Sequence, residues 1–172
     1  MSSPNMPWHQ TGLRWLWLAL VIIVVDQITK LYVANTFNYR ETVEFIPYLQ
    51  WTYVHNKGAA FSFLSDAGGW QRWFFAFIAV AISGLLIYWL KGISRNVWLQ
   101  GVSFSLVLGG AIGNLIDRIY LGYVIDFIDF YVGNWHWPAF NIADSAICVG
   151  AVLLILDALR GEQKTPETKE SN

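Results

Sequence analysis

The chain has 172 residues, enough for one domain, and is 55% apolar with only 13% charged residues. Soluble domains carry about 25% charged residues, so much of this surface faces something other than water. A net charge of −1 excludes the basic footprint that nucleic acid requires. The single cysteine, Cys148, leaves no intrachain disulfide open.

A helix needs about 20 mostly apolar residues to cross a bilayer core, and four segments qualify, over about 13–34, 73–90, 97–116 and 142–159. They define an all-α membrane protein, one integral membrane domain over 1–172. Polar tails at 1–12 and 161–172 flank the spans, and long loops at 35–72 and 117–141 separate them. The first span carries Arg14 ahead of an apolar run, as a secretory signal does. No small-residue cleavage site follows, so it reads as a retained helix. Ten Trp and eight Tyr suit rings at a membrane–water boundary.

Four crossings place both termini on one side. Arg14, Lys91, Arg95, Arg160, Lys164 and Lys169 lie on that side, against Lys30, Arg40, Lys57, Arg72 and Arg118 on the other. Lys30 and Arg118 sit beside acids at helix ends and are discounted, which favours cytoplasmic termini. In the first loop, 42–46 alternates partly and 49–54 is rich in strand formers. A small extracytoplasmic β-rich unit between spans one and two is expected there.

Ionisable groups at membrane depth are costly and functional or paired. Here Asp26 and Lys30 close the first span; Asn114, Asp117 and Arg118 close the third; Asp126 and Asp129 follow; Asn141 and Asp144 open the fourth. Counting crossings brings all of them to one face, together with His55, Asn56 and Lys57. Asp26 and Lys30 have the i, i+4 spacing of a helical ion pair. Asn114 and Arg118 share that spacing, and Arg118 suits either snorkelling or a charge-assisted bond. Asp144 lies in the first turn of its helix, where the dipole favours a carboxylate, and Asn141 is an alternative N-cap. The stripe Gly101, Ser105, Gly109 and Gly113 predicts close packing by another helix.

A paired-carboxylate site requires a partner for Asp144, and the pattern leaves Asp126 and Asp129 equally open. His9, His55 and His136 lack metal-ligand spacing. Cys148 reads as packing, and a Lys57–Ser62 pair lacks a supporting motif. A proton-coupled transporter would spread its acids to the midplane of several helices. A scaffold protein gives no reason for so many polar residues on one face.

Five motifs in order are more specific: Asp26-Gln27-Ile28-Thr29-Lys30, His55-Asn56-Lys57-Gly58-Ala59-Ala60-Phe61-Ser62, Gly109 through Arg118, Val124-Ile125-Asp126-Phe127, and Phe140-Asn141-Ile142-Ala143-Asp144-Ser145. Together they resemble the bacterial lipoprotein signal peptidase (signal peptidase II) family over about residues 13–160, with no departure at the key positions. The resemblance implies a cofactor-free, metal-free aspartic endopeptidase of the bacterial inner membrane, a monomer inhibited by globomycin. Its substrates are prolipoproteins, cut before a cysteine that carries a diacylglyceryl group. It implies Asp126 and Asp144 as the catalytic pair, and Asn56, Gly58, Asn114, Arg118, Asn141 and Ala143 as supporting or substrate-binding residues. Asp26, Lys30 and Asp117 remain structural polar residues.

Overall fold

The computed structural model describes residues 7–58 and 69–162. Its helices are α1 (Leu16–Thr36), α2 (Trp70–Gly92), α3 (Trp98–Tyr120) and α4 (Ile142–Glu162). All four are long and apolar enough to cross a membrane. A 3-10 turn over Gly12–Trp15 leads into α1, with the Thr11 hydroxyl capping it by accepting from the Leu13 N–H. The same segment pairs with the short α2–α3 connection: Gly12 N–H donates to the Ile93 carbonyl and Arg95 N–H to the Gln10 carbonyl.

The helix α3 is the hub. Of its most apolar stretch 56% is buried, against 22%, 28% and 17% for α1, α2 and α4. Lipid tails are as apolar as leucine, so helices associate through close packing, and small residues on α3 allow it. A methyl group added to Gly101 would meet Trp15, and one on Gly109 would lie 2.8 Å from the Ala19 carbonyl oxygen, so this stripe faces α1 as expected. Gly110 lies directly under the Ala143 carbonyl, and Gly150 of α4 approaches Ser103 and Val107. Leu86, Leu90, Phe104, Leu108 and Ala19 fill the end near the chain's N-terminus.

A four-stranded antiparallel sheet covers the other end, in the order β1 (Thr42–Ile46), β2 (Leu49–Asn56), β3 (Val124–Val132) and β4 (Trp135–His136). Val33, Tyr53, Ile125 and Phe127 form the core beneath it. The pairing of β2 with β3 slips by one residue between Trp51 and Val54, and this bulge places Val54 opposite Asp126. Bulges bend a strand and re-aim its side chains.

Three expectations need correction. The sheet is not confined to the loop between the first two spans, because the second long loop supplies half its strands. The helix α3 runs on to Tyr120, so Asp117 and Arg118 lie within it, as Asn114 does, rather than in the loop expected over 117–141. Cys148 is exposed on the outer surface of α4 rather than packed within the bundle.

Candidate active site

Asp26, Lys30, Asn141 and Asp126 are 0%, 1%, 0% and 2% exposed, so bulk solvent reaches none of them. Buried charges require partners, and each of these has them. Lys30 sits six residues before the end of α1, about 9 Å into the helix at 1.5 Å per residue. Its Nζ lies 2.8 Å from Asp26 Oδ2 and 2.9 Å from Asp117 Oδ2, and donates to Asn114 Oδ1 at 2.9 Å. Three N–H donors thus meet three acceptors. The Gln27 amide donates toward Asp117 Oδ1, Asp26 Oδ2 and the Gly113 carbonyl. Gly113 makes room for this, since a methyl group there would lie 2.7 Å from Asp26 Oδ2.

The two acids of this cluster each grip a neighbouring element. Asp26 Oδ1 accepts from the Ala143 N–H at 2.9 Å and so holds the first turn of α4. Asp117 Oδ2 accepts from the Ile125 N–H at 3.1 Å and so holds the start of β3. Those are the residues immediately before Asp144 and Asp126.

Asp126 receives the Asn141 amide on Oδ1 at 2.7 Å and the Asn56 amide on Oδ2 at 2.9 Å. Asp144 receives the Asn114 amide on Oδ1 at 2.8 Å. Asn141 and Asp144 also cap α4 reciprocally: Asn141 Oδ1 accepts from the Asp144 N–H at 2.9 Å, and Asp144 Oδ2 from the Asn141 N–H at 3.3 Å. Both capping readings of the sequence therefore hold at once, as in a capping box. Burial, and then the charge of Asp144, push the Asp126 carboxyl from 3.8 up to about 7, against the opposing pull of the Asn56 and Asn141 amides and Lys30. Arg118 donates to the Asn114 carbonyl at 3.2 Å, and its charge acts on Asp144, Asp126 and Asp117.

Asp129 lies elsewhere. Three residues from Asp126 on one strand, it falls on the opposite face, where it accepts from Gln50 at 2.6 Å and meets His136 Nδ1 at 2.9 Å. His55 stacks on Tyr123 with centroids 3.8 Å apart, and burial lowers its pKa. Ser62 lies outside the described residues. Among the described residues no cluster of three His, Cys, Asp or Glu is placed to hold a metal ion. Sequence reasoning missed two contributors. Gln27 carried a signal, a polar amide beside Asp26 in an apolar span; Phe75, whose ring centroid lies 5.3 Å from the Arg118 guanidinium carbon, carried none.

Fold and site together define a polytopic membrane protein in which the buried Asp126 and the partly exposed Asp144 lie near enough for one charge to act on the other. Residues 18–160 match the family described as Signal peptidase (SPase) II, Peptidase_A8, and the chain belongs to that family of enzymes. A lipoprotein signal peptidase of Pseudoalteromonas translucida (strain TAC 125) is 56% identical over 154 residues, covering 90% of this chain and 93% of that protein. One of Shewanella woodyi (strain ATCC 51908 / MS32) is 52% identical over 152 residues, covering 88% and 86%. A solved structure described as a bacterial membrane enzyme, obtained by the in meso method at 2.3 Å resolution, superposes with a TM-score of 0.79 at 34% identity. It covers 92% of this chain and 94% of that one.

Proposed function

We propose that this enzyme is an aspartic endopeptidase that removes the signal peptide from diacylglyceryl-modified prolipoproteins, with Asp126 and Asp144 as its catalytic pair. One observation carries the reading: two carboxylates from different elements are each held by side-chain amides, and the proton affinity of Asp126 is raised by burial and by the charge of Asp144. Close carboxylates share a proton and titrate as a unit. The ionised member takes a proton from a water held between them, and that water attacks the scissile carbonyl. The protonated member hydrogen-bonds the developing oxyanion and then protonates the leaving amine. Neither a metal nor a covalent intermediate takes part.

Asn56, Asn114 and Asn141 fix the carboxylates, and Arg118 supplies positive charge beside the oxyanion. Gly58 and Ala143 shape the turns that carry them. Lys30, Asp26 and Asp117 form the frame on which both are mounted. Both termini lie in the cytoplasm, so the polar cluster and the sheet stand at the outer face of the inner membrane. The exposed Val43, Phe45, Ile46 and Tyr48 of the β1–β2 hairpin rest in the headgroup layer beside the site. The substrate's own apolar helix enters sideways from the bilayer, and its lipid sets the scissile bond at the depth of the pair.

The test is a gel-shift cleavage assay on purified enzyme in lipid, with a prolipoprotein in its diacylglyceryl-modified and unmodified forms. Cleavage of the modified form only is expected. Equal cleavage of both would remove the lipid from substrate recognition, and cleavage of neither by a folded enzyme would overturn the proposal.

A further inference from the structure

We infer that Phe75 is a positioning residue for peptide-bond cleavage, its ring acting as the stop that holds the Asn56–Gly58 turn where the Asn56 amide meets Asp126. The inference rests on the carboxylate-pair reading above. Most of the aromatic run that opens α2 faces outward, with Trp73, Phe74 and Phe77 exposed. Phe75 is half-buried, and its ring has two partners inside the site.

The first partner is Gly58. A methyl group built there would lie 2.5 Å from Phe75 Cε2 and 2.6 Å from Cδ2, so the ring already bears on the glycine backbone. The φ of +102° at Gly58 independently selects glycine. Gly58 N–H donates to Asn56 Oδ1 at 2.8 Å. An amide whose oxygen is engaged this way presents its NH2 end in the other direction, and Asn56 Nδ2 donates to Asp126 Oδ2 at 2.9 Å. Ring, glycine, asparagine and carboxylate are therefore in continuous contact.

The second partner is Arg118, whose guanidinium carbon lies 5.3 Å from the centroid of the same ring, within cation–π range. A flat face suits both tasks, since it lets a backbone approach closely and it attracts a guanidinium. An aliphatic side chain of similar volume provides neither. Phe75 has no polar atom for chemistry, so it acts through Asn56 and Arg118.

The experiment is a double-mutant cycle on cleavage of the diacylglyceryl-modified prolipoprotein in lipid, comparing parent, Phe75→Met, Asn56→Ala and the pair, with Phe75→Leu and Phe75→Tyr alongside. Misplacing a catalytic group by about 1 Å costs up to roughly a hundredfold. Phe75→Met and Phe75→Leu are expected to lower kcat by roughly tenfold or more with KM little changed, while Phe75→Tyr stays near the parent. In the Asn56→Ala background, Phe75→Met is expected to cost clearly less than in the parent, because only its contact with Arg118 remains to be lost. Parent-like kcat in Phe75→Met and Phe75→Leu would overturn the inference, as would fully multiplicative effects in the cycle. Failure of both to fold would overturn it in favour of a role in packing. An Asp126→Asn control that cleaves like the parent would instead overturn the carboxylate-pair reading.

Discussion

Asp126→Asn is expected to be less stable than the parent at pH 4, yet equal to it or more stable at pH 8. Two opposing effects produce this crossing. Asn141 and Asn56 donate to the two oxygens of Asp126, whereas an asparagine offers one acceptor, so one donor loses its partner at a cost of about 1–3 kcal/mol at every pH. Against this stands the carboxyl itself, whose value in the folded protein is about 7 against 3.8 ordinarily. The folded chain holds a proton there that the unfolded chain releases. The contribution is present in full below pH 4 and is lost as pH rises through 7. Its ceiling is about 4 kcal/mol, from roughly three pH units at about 1.4 kcal/mol each, and the substitution removes it. Thermal unfolding of both proteins in detergent at the two pH values checks this. A variant that lags by the same margin at both values would show that Asp126 carries no raised proton affinity.

Lys30→Met is expected to destabilise the protein by about 3–5 kcal/mol, the cost of stranding the partners of a buried ion pair. Methionine fills a similar volume but donates nothing, so Asp26, Asp117 and the Asn114 oxygen all lose their ammonium. The damage extends beyond the cluster, because Asp26 holds the turn before Asp144 and Asp117 holds the strand before Asp126. Adding Asp26→Asn and Asp117→Asn to Lys30→Met removes the unpaired charges and is expected to restore much of the loss. Thermal midpoints of single and triple variants measure both effects, and a Lys30→Met protein as stable as the parent would contradict the role given to this cluster.

The helices were legible because a crossing demands a long apolar run, and little else in a chain of this size supplies one. Faces were less legible. A helix apolar all round does not declare which side is inward, which is why Cys148 read as packing and turned out exposed. The strands β1 and β2 announced themselves by partial alternation and strand-forming residues. Buried at its start on both faces, β3 reads as Val-Ile-Asp-Phe-Ile-Asp-Phe-Tyr-Val with no alternation, and strands of that kind lack the period-two signal. Missing that strand also left Asp126 and Asp129 indistinguishable by pattern, because their three-residue spacing separates them only once the segment is known to be extended. The ion pair of Asp26 with Lys30 followed from helical spacing. The contacts of Lys30 with Asp117 and of Asn114 with Asp144 cross between helices, and no local rule predicts such partners. Phe75 was invisible for a similar reason, since its partners come from a distant turn and another helix.

The most direct test of the central claim is the gel-shift assay on the diacylglyceryl-modified prolipoprotein with Asp126→Asn, Asp144→Asn and Asp129→Asn beside the parent. Removing a positioned general acid or base costs about 10²–10⁴ in rate. Cleavage is expected to fall at least that far in the first two variants and to persist in the third, whose carboxylate pairs with Gln50 and His136 away from the site. Near-parental cleavage by Asp126→Asn or Asp144→Asn, or loss of cleavage in a folded Asp129→Asn, would contradict the assignment of the pair.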